Sequence, residues 1–235
     1  FLAWNIRTQS KRWAGYPPDG LEWGHRAMMV DEATGMAYSS NTHASDPEMH
    51  FIRYDPAKNR FFKLPCATPP QKRNGERTML RAHTRHRGPD GLFWCVSQNG
   101  ELYTFDPDKE VIEDKGLIWP GQQTYVASMD RSPGGRYFYF VPGAHGGGWA
   151  EGAPIVQYDT RTGARKVIAF PFPYYHGKYG YITGGTYSAV LDDKGARLCI
   201  LWNGAFTDIK PNGRADTFGH CSVMLVNIPE SERRE

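Results

Sequence analysis

Phe51-Ile52-Arg53-Tyr54-Asp55-Pro56-Ala57-Lys58-Asn59-Arg60-Phe61-Phe62-Lys63-Leu64 reads as an apolar strand closing on an aromatic–Asp pair, a short turn, and a second strand. The pair recurs as Trp4-Asn5, Tyr54-Asp55, Phe105-Asp106 and Tyr158-Asp159, and in weaker form as Val226-Asn227. The second members are spaced 50, 51, 53 and 68 residues apart. A period in this range marks a repeat architecture in which each unit is one small antiparallel sheet packed on its neighbours.

Outward from each pair, the remaining strands of the unit fall into place. Asp/Pro/Gly clusters at Asp31–Gly35, Arg87–Gly91, Asp130–Gly135 and Asp192–Gly195 are tight-turn chemistry. A β-branched and aromatic run follows each of them, as in Leu92-Phe93-Trp94-Cys95-Val96 and Arg136-Tyr137-Phe138-Tyr139-Phe140-Val141. Four short strands per unit predict an all-β β-propeller of four-stranded antiparallel blades, with no helix. The expected blades cover about 1-20, 21-70, 78-120, 121-172 and 181-229, within a single partial propeller over 1-235. The first and last units look incomplete, so the reading is about four and a half blades of a six- to eight-bladed ring, this chain forming its C-terminal part. A self-closing four-bladed ring is the alternative.

Composition narrows the classes. The 235 residues are 40% hydrophobic and 14% aromatic, enough for a packed core. A net charge of +3 without a block of about five like charges speaks against nucleic acid as a partner. No window approaches the roughly 18 apolar residues of a membrane span. The absence of an initiator Met and of a leader-like segment suggests a mature or truncated portion of something longer, and a secreted or periplasmic location is the expectation. Cys66, Cys95, Cys199 and Cys221 show no zinc-type spacing; Cys95 and Cys199 read as buried free thiols. Glu230–Glu235, mixed in sign, reads as a solvated tail.

Strand alternation puts the turns after the first and third strands on one side and the other connections on the opposite side. The first side holds tight turns. The second holds the long segments: Asn41–His50, Pro142–Trp149, Pro173–Tyr179 and Asn203–His220, and all eight histidines are expected there. Aligning the units on Asp31, Asp90, Asp130 and Asp192 puts His25, Thr84, Thr124 and Thr186 six residues earlier. Arg26, Arg85, Tyr125 and Tyr187 come five earlier, with His83 beside them. On first strands, which line a propeller's axis, these side chains would ring one funnel. The bland reading is polar side chains satisfying a wet channel.

His, Tyr and Arg together suit proton abstraction beside a carboxylate. The expected catalytic residues are His25, His83, Tyr125 and Tyr187. Arg26, Arg85, His145, Trp149 and Tyr175 are the expected substrate contacts, the arginines for the acid and the aromatics for sugar faces. In this set the chain resembles propeller-fold polysaccharide lyases, and the resemblance implies β-elimination of uronate-containing polysaccharides or oligouronides. Val141-Pro142-Gly143-Ala144-His145-Gly146-Gly147 and Gly185-Thr186-Tyr187-Ser188 are similar to uncharacterised bacterial propeller proteins, a likeness that brings no activity. A second expectation is a divalent metal (Zn, Mn or Ca) at His43 and His50, which flank Asp46 and Glu48 and would suit a metal-dependent lactonase or hydrolase. A third is a non-catalytic propeller that binds protein or glycan. The expected partners are a glycan or small-molecule substrate and a second polypeptide or N-terminal portion completing the ring.

Overall fold

In a computed structural model the protein is described at residues 2–13, 15, 17, 21–23, 27–42, 44, 46–72, 74–144, 146–206 and 219–235. Five antiparallel sheets follow one another along the chain. The first is a hairpin of β1 (Leu2–Asn5) and β2 (Ser10–Trp13). The next contains β3 (Met29–Val30), β4 (Ala37–Ser40), β5 (His50–Asp55) and β6 (Arg60–Ala67). A third contains β7 (Leu80–His83), β8 (Phe93–Ser97), β9 (Glu101–Asp106) and β10 (Val111–Leu117). The fourth contains β11 (Val126–Arg131), β12 (Tyr137–Pro142), β13 (Ile155–Asp159) and β14 (Arg165–Ala169). The last holds β15 (Ile182–Leu191), β16 (Arg197–Ala205) and β17 (His220–Asn227). Each sheet is a meander in chain order, and from the second to the fifth each packs face to face on the next, which is the construction of β-propeller blades.

The recurring pair has a local physical cause. Asn5, Asp55 and Asp106 each accept two backbone N–H groups through one side-chain oxygen, from the residues two and three positions on, at 2.9–3.1 Å. Asp159 accepts from Arg161 N at 2.9 Å. Such Asx turns reverse the chain within four residues. The residue four positions after each takes the left-handed conformation: Gln9 (φ 53°), Asn59 (φ 52°), Glu110 (φ 56°) and Gly163 (φ 73°). Asn227 departs from the pattern. It ends β17 and leads into Pro229 and a 3-10 turn at Glu230–Glu232.

Alternation along the second and third strands sends successive side chains to opposite faces, so the third and fourth sheets each share a core with the sheet on either side. Tyr38 and Phe51 meet Phe93, Tyr103 and Phe105 between the second and third sheets. Trp94, Val96 and Leu102 meet Phe138, Phe140 and Tyr158 between the third and fourth. Phe138 stacks on Tyr158 at 4.6 Å, an arrangement worth roughly 0.5–1.5 kcal/mol beyond area burial. Tyr139, Val141 and Ile155 meet Leu198, Ile200 and Trp202 between the fourth and fifth.

One expectation is corrected and a second is refined. Pro171–Tyr179 forms an α-helix, α1, with Pro in its first turn and Gly180 ending it at φ 66°. Phe172 and Tyr175 pack against the core between the last two sheets, and that burial outweighs the poor helix propensities of Pro173 and Gly177. The C-terminal segment is solvated at Glu230, Ser231, Arg234 and Glu235, as expected, but it is also tethered to the fourth sheet. Glu232 accepts from Gln157 Nε2 through its carbonyl at 2.5 Å and pairs with Lys166 through its carboxylate at 2.6 Å, and Tyr137 Oη donates to Arg234 O at 3.1 Å. All four cysteines are free thiols: Cys95 is buried and Cys199 half-buried. Burial pushes the Cys66 thiol up to about 12.

Candidate functional site

The first strands of the four larger sheets face one cavity of about 500 Å³. Its wall includes Val30 on β3 with Met28 just before it, Arg81 and His83 on β7 with Arg85 just after it, Ser128 and Asp130 on β11, and Tyr187 and Val190 on β15. Side chains tie these strands together. Ser128 Oγ accepts from Ala189 N at 2.9 Å, and Asp130 Oδ2 accepts from Leu191 N at 2.8 Å. Arg81 donates through Nε to the Tyr125 hydroxyl oxygen and through Nη1 to Ala127 O at 3.2 Å.

His83 is half-buried, its Nδ1 3.0 Å from the Thr84 carbonyl oxygen and its ring edge-on to Phe93 at 6.5 Å. Desolvation lowers its pKa and outweighs the pull of the Thr84 and Met28 carbonyls in the other direction, so the imidazole is neutral at neutral pH. The Tyr187 hydroxyl accepts from Asn203 Nδ2 at 3.1 Å, which leaves its own proton to donate. Arg85 is exposed and lies 3.9 Å from Asp130, too loose a pair to consume its charge.

The structure brings His83, Arg85 and Tyr187 to one cavity, with Tyr125 behind Arg81. Trp149 and Tyr175 are placed elsewhere. Trp149, in a 3-10 turn at Gly148–Glu151, packs on Phe172 at 6.0 Å, and Tyr175 on α1 joins the core between the last two sheets. His25, Arg26, His43 and His145 lie outside the described residues. His50 Nδ1 donates to Asp46 Oδ2 at 2.8 Å, and the same oxygen holds Lys63 Nζ at 3.0 Å, so the carboxylate nearest His50 already faces a cation. Glu48 pairs with Arg77 at 3.3 Å. Among the described residues no three His, Cys, Asp or Glu side chains converge as a metal-binding group.

Two further expectations change. His86 sits in the β7–β8 connection against Glu32, at 3.1 Å, on the tight-turn side, so the histidines do not all share one face. The alignment of units also shifts. The hairpins close through the N–H groups of Asp31, Gly88, Ser132 and Asp192, so Asp90 and Asp130 are displaced from the common position in opposite directions. Asp130 instead bridges β11 to β15, and Asp90 takes a bidentate pair from Arg131 at 2.8 and 3.0 Å. Bulges on β7, β11 and β15 prevent any single offset from marking one level of the cavity. Arg81 is the wall residue that sequence reasoning missed; its signal was a charge on alternate positions with His83 inside an otherwise apolar strand.

The glycine-rich segment beside this wall serves close packing. A Cβ on Gly185 would collide with the carbonyl of Ala144, and one on Gly143 with the backbone of Gly148. Within the Gly146-Gly147-Gly148 run, Gly148 lies against Gly184 of β15 and Gly147 against the Gln123 side chain.

No family model matches the chain, and no curated protein matches it. Solved structures similar to it are of β-propeller type. Hydrazine synthase of Kuenenia stuttgartiensis superposes with a TM-score of 0.51 at 12% identity, over 89% of this chain and 46% of that one. A nidogen/laminin complex gives 0.54 at 10% identity, over 86% and 66%. The tricorn protease gives 0.50 at 12% identity, over 99% and 19%. This chain therefore spans less than two thirds of the length of each. Identities this low carry the fold alone.

Proposed function

We propose that the cavity between the first strands binds a carboxylate-bearing sugar, and that the protein is a polysaccharide or oligouronide lyase acting by β-elimination. The observation that carries this reading is the shared wall: His83, Tyr187 and Arg85 open onto one cavity with Arg81, which is itself bound to Tyr125. In this reading Arg81 and Arg85 hold the uronate carboxylate and draw charge from the carbon beside it. Neutral His83 takes the proton from that carbon, and the freed electron pair forms a C=C bond. The glycosidic C–O bond at the β position breaks, and the Tyr187 hydroxyl protonates the departing oxygen. The proton left on His83 returns to the tyrosinate through solvent, which completes the balance. Tyr125 acts through Arg81 as a positioning residue.

The test is the absorbance of a conjugated unsaturated uronate product across a panel of polyuronides. One polymer should yield it, and His83→Ala or Tyr187→Phe should abolish it with the circular dichroism spectrum unchanged. Oligouronide binding with no product from any polymer would replace this reading by a glycan-binding propeller. One observation favours that second reading: Phe170, Tyr174 and Tyr179 are exposed around α1, with Lys178 Nζ 5.3 and 5.2 Å from the two tyrosine rings.

A further inference from the structure

The second and third strands of each sheet from β3 to β14 hide both of their faces, but those of the sheet of β15–β17 hide one. Leu198, Ile200, Trp202 and Met224 face back onto the fourth sheet and are buried. The alternate residues form the other face. Cross-strand register sets Val190, Cys199 and Leu225 in one row, and Ser188, Leu201 and Val223 in the next. Val223 is 66% exposed and Leu225 65%. The corresponding next-facing residues one sheet earlier, Tyr139 and Val141 on β12, are 0% and 1% exposed because β15–β17 covers them. Two sheets earlier, Trp94 and Val96 on β8 are covered in the same way.

We propose that this face of β15–β17 is a docking surface for a further antiparallel sheet of the same kind. The occupant is polypeptide other than a second copy of these 235 residues. The case rests on continuity with an interface the molecule builds three times over. From one sheet to the next, alternate residues of the second and third strands meet an apolar face, and only here do they meet solvent among the described residues of the four larger sheets. The open rows are aliphatic in the middle, with Val190, Leu201, Val223 and Leu225, and have a polar flank at Asn203; the covered faces carry Tyr139 and Trp94 beside Val141 and Val96, so the occupant presents aliphatic and aromatic residues on strands running face-on to these. The first strand of that sheet would also wall the cavity beside Tyr187 and Val190, which lie on the open side of β15. This surface does not depend on any activity of the cavity.

Cys221, exposed and paired in register with Asn203 at the margin of this face, reports on it. The experiment compares thiol labelling of Cys221 by a water-soluble maleimide in residues 1–235 alone and in the protein isolated intact from its source. Labelling at least tenfold slower in the intact protein is the expected result. Replacing Val223 and Leu225 by Lys there should restore fast labelling while leaving the near-ultraviolet signal of the buried aromatics in place. Equal labelling in both samples overturns the proposal. So does protection that appears in residues 1–235 alone as concentration rises, because that assigns the face to a second copy.

Discussion

Arg81 reaches from β7 across to β11, donating to the hydroxyl oxygen of Tyr125 and laying its guanidinium 4.9 Å from the centre of the same ring. One side chain thus joins two neighbouring sheets and places a positive charge in the cavity wall. Removing either partner should be felt at the ligand as well as in the fold.

Arg81→Met and Tyr125→Phe are expected to weaken oligouronide binding about tenfold or more, since hydrogen bonds to charged groups contribute about 1.5–3 kcal/mol. The double variant should lose little beyond Arg81→Met alone, because Tyr125 acts through Arg81. Titration calorimetry of the three variants checks this, and full additivity would separate the two residues.

His83 resists protonation in the folded state and not in the unfolded one. Unfolded chains then bind more protons below the free imidazole value near ~6.5, so stability is complete above that pH and declines as pH falls beneath it. His83→Gln should remove this decline from urea midpoints measured between about pH 7 and 5. If the cavity is catalytic, the acid limb of kcat/KM should also lie below that of a free imidazole.

Asp46 behaves in the opposite sense. Burial alone would raise its pKa, but hydrogen bonds from Lys63 and His50 overcome that and hold the carboxyl at about 2. Its contribution is present above the unfolded value near ~3.9 and is lost as pH falls from there toward 2, on the order of 2 kcal/mol. Lys63→Met should shrink that acid-side loss; an unchanged acid transition would show that the Lys63 bond is not what holds Asp46 ionised.

Gly185→Ala should cost about 1–3 kcal/mol, because the new methyl meets the rigid Ala144 backbone. Gly177→Ala, in α1 with open space around it, should gain about 0.5–1 kcal/mol. Paired melting curves read both. A neutral Gly185→Ala would mean that the 143–148 segment yields.

The Asx pairs were legible in the sequence because their cause is local: an oxygen on Asp55 or Asp106 needs only the next three residues to make its turn. The four-stranded sheets followed from them. The helix at Pro171–Tyr179 was hidden because its support is distant, from Trp149 on one side and the fourth and fifth sheets on the other. His83 and Tyr187 could be placed near one another from strand order alone. Their heights could not, because the bulges at Leu80/Ala82 and Thr186/Ser188 are set by partner strands.

The apolar interior is parcelled into separate layers, with Trp202 and Ile200 in one, Phe138 and Val96 in the next, and Phe51 and Phe105 beyond. Damage to such a molecule stays near its source. Trp202→Ala should speed amide exchange in β15–β17 long before it reaches β4 or β5, and heating should melt the chain progressively from the outermost layer inward.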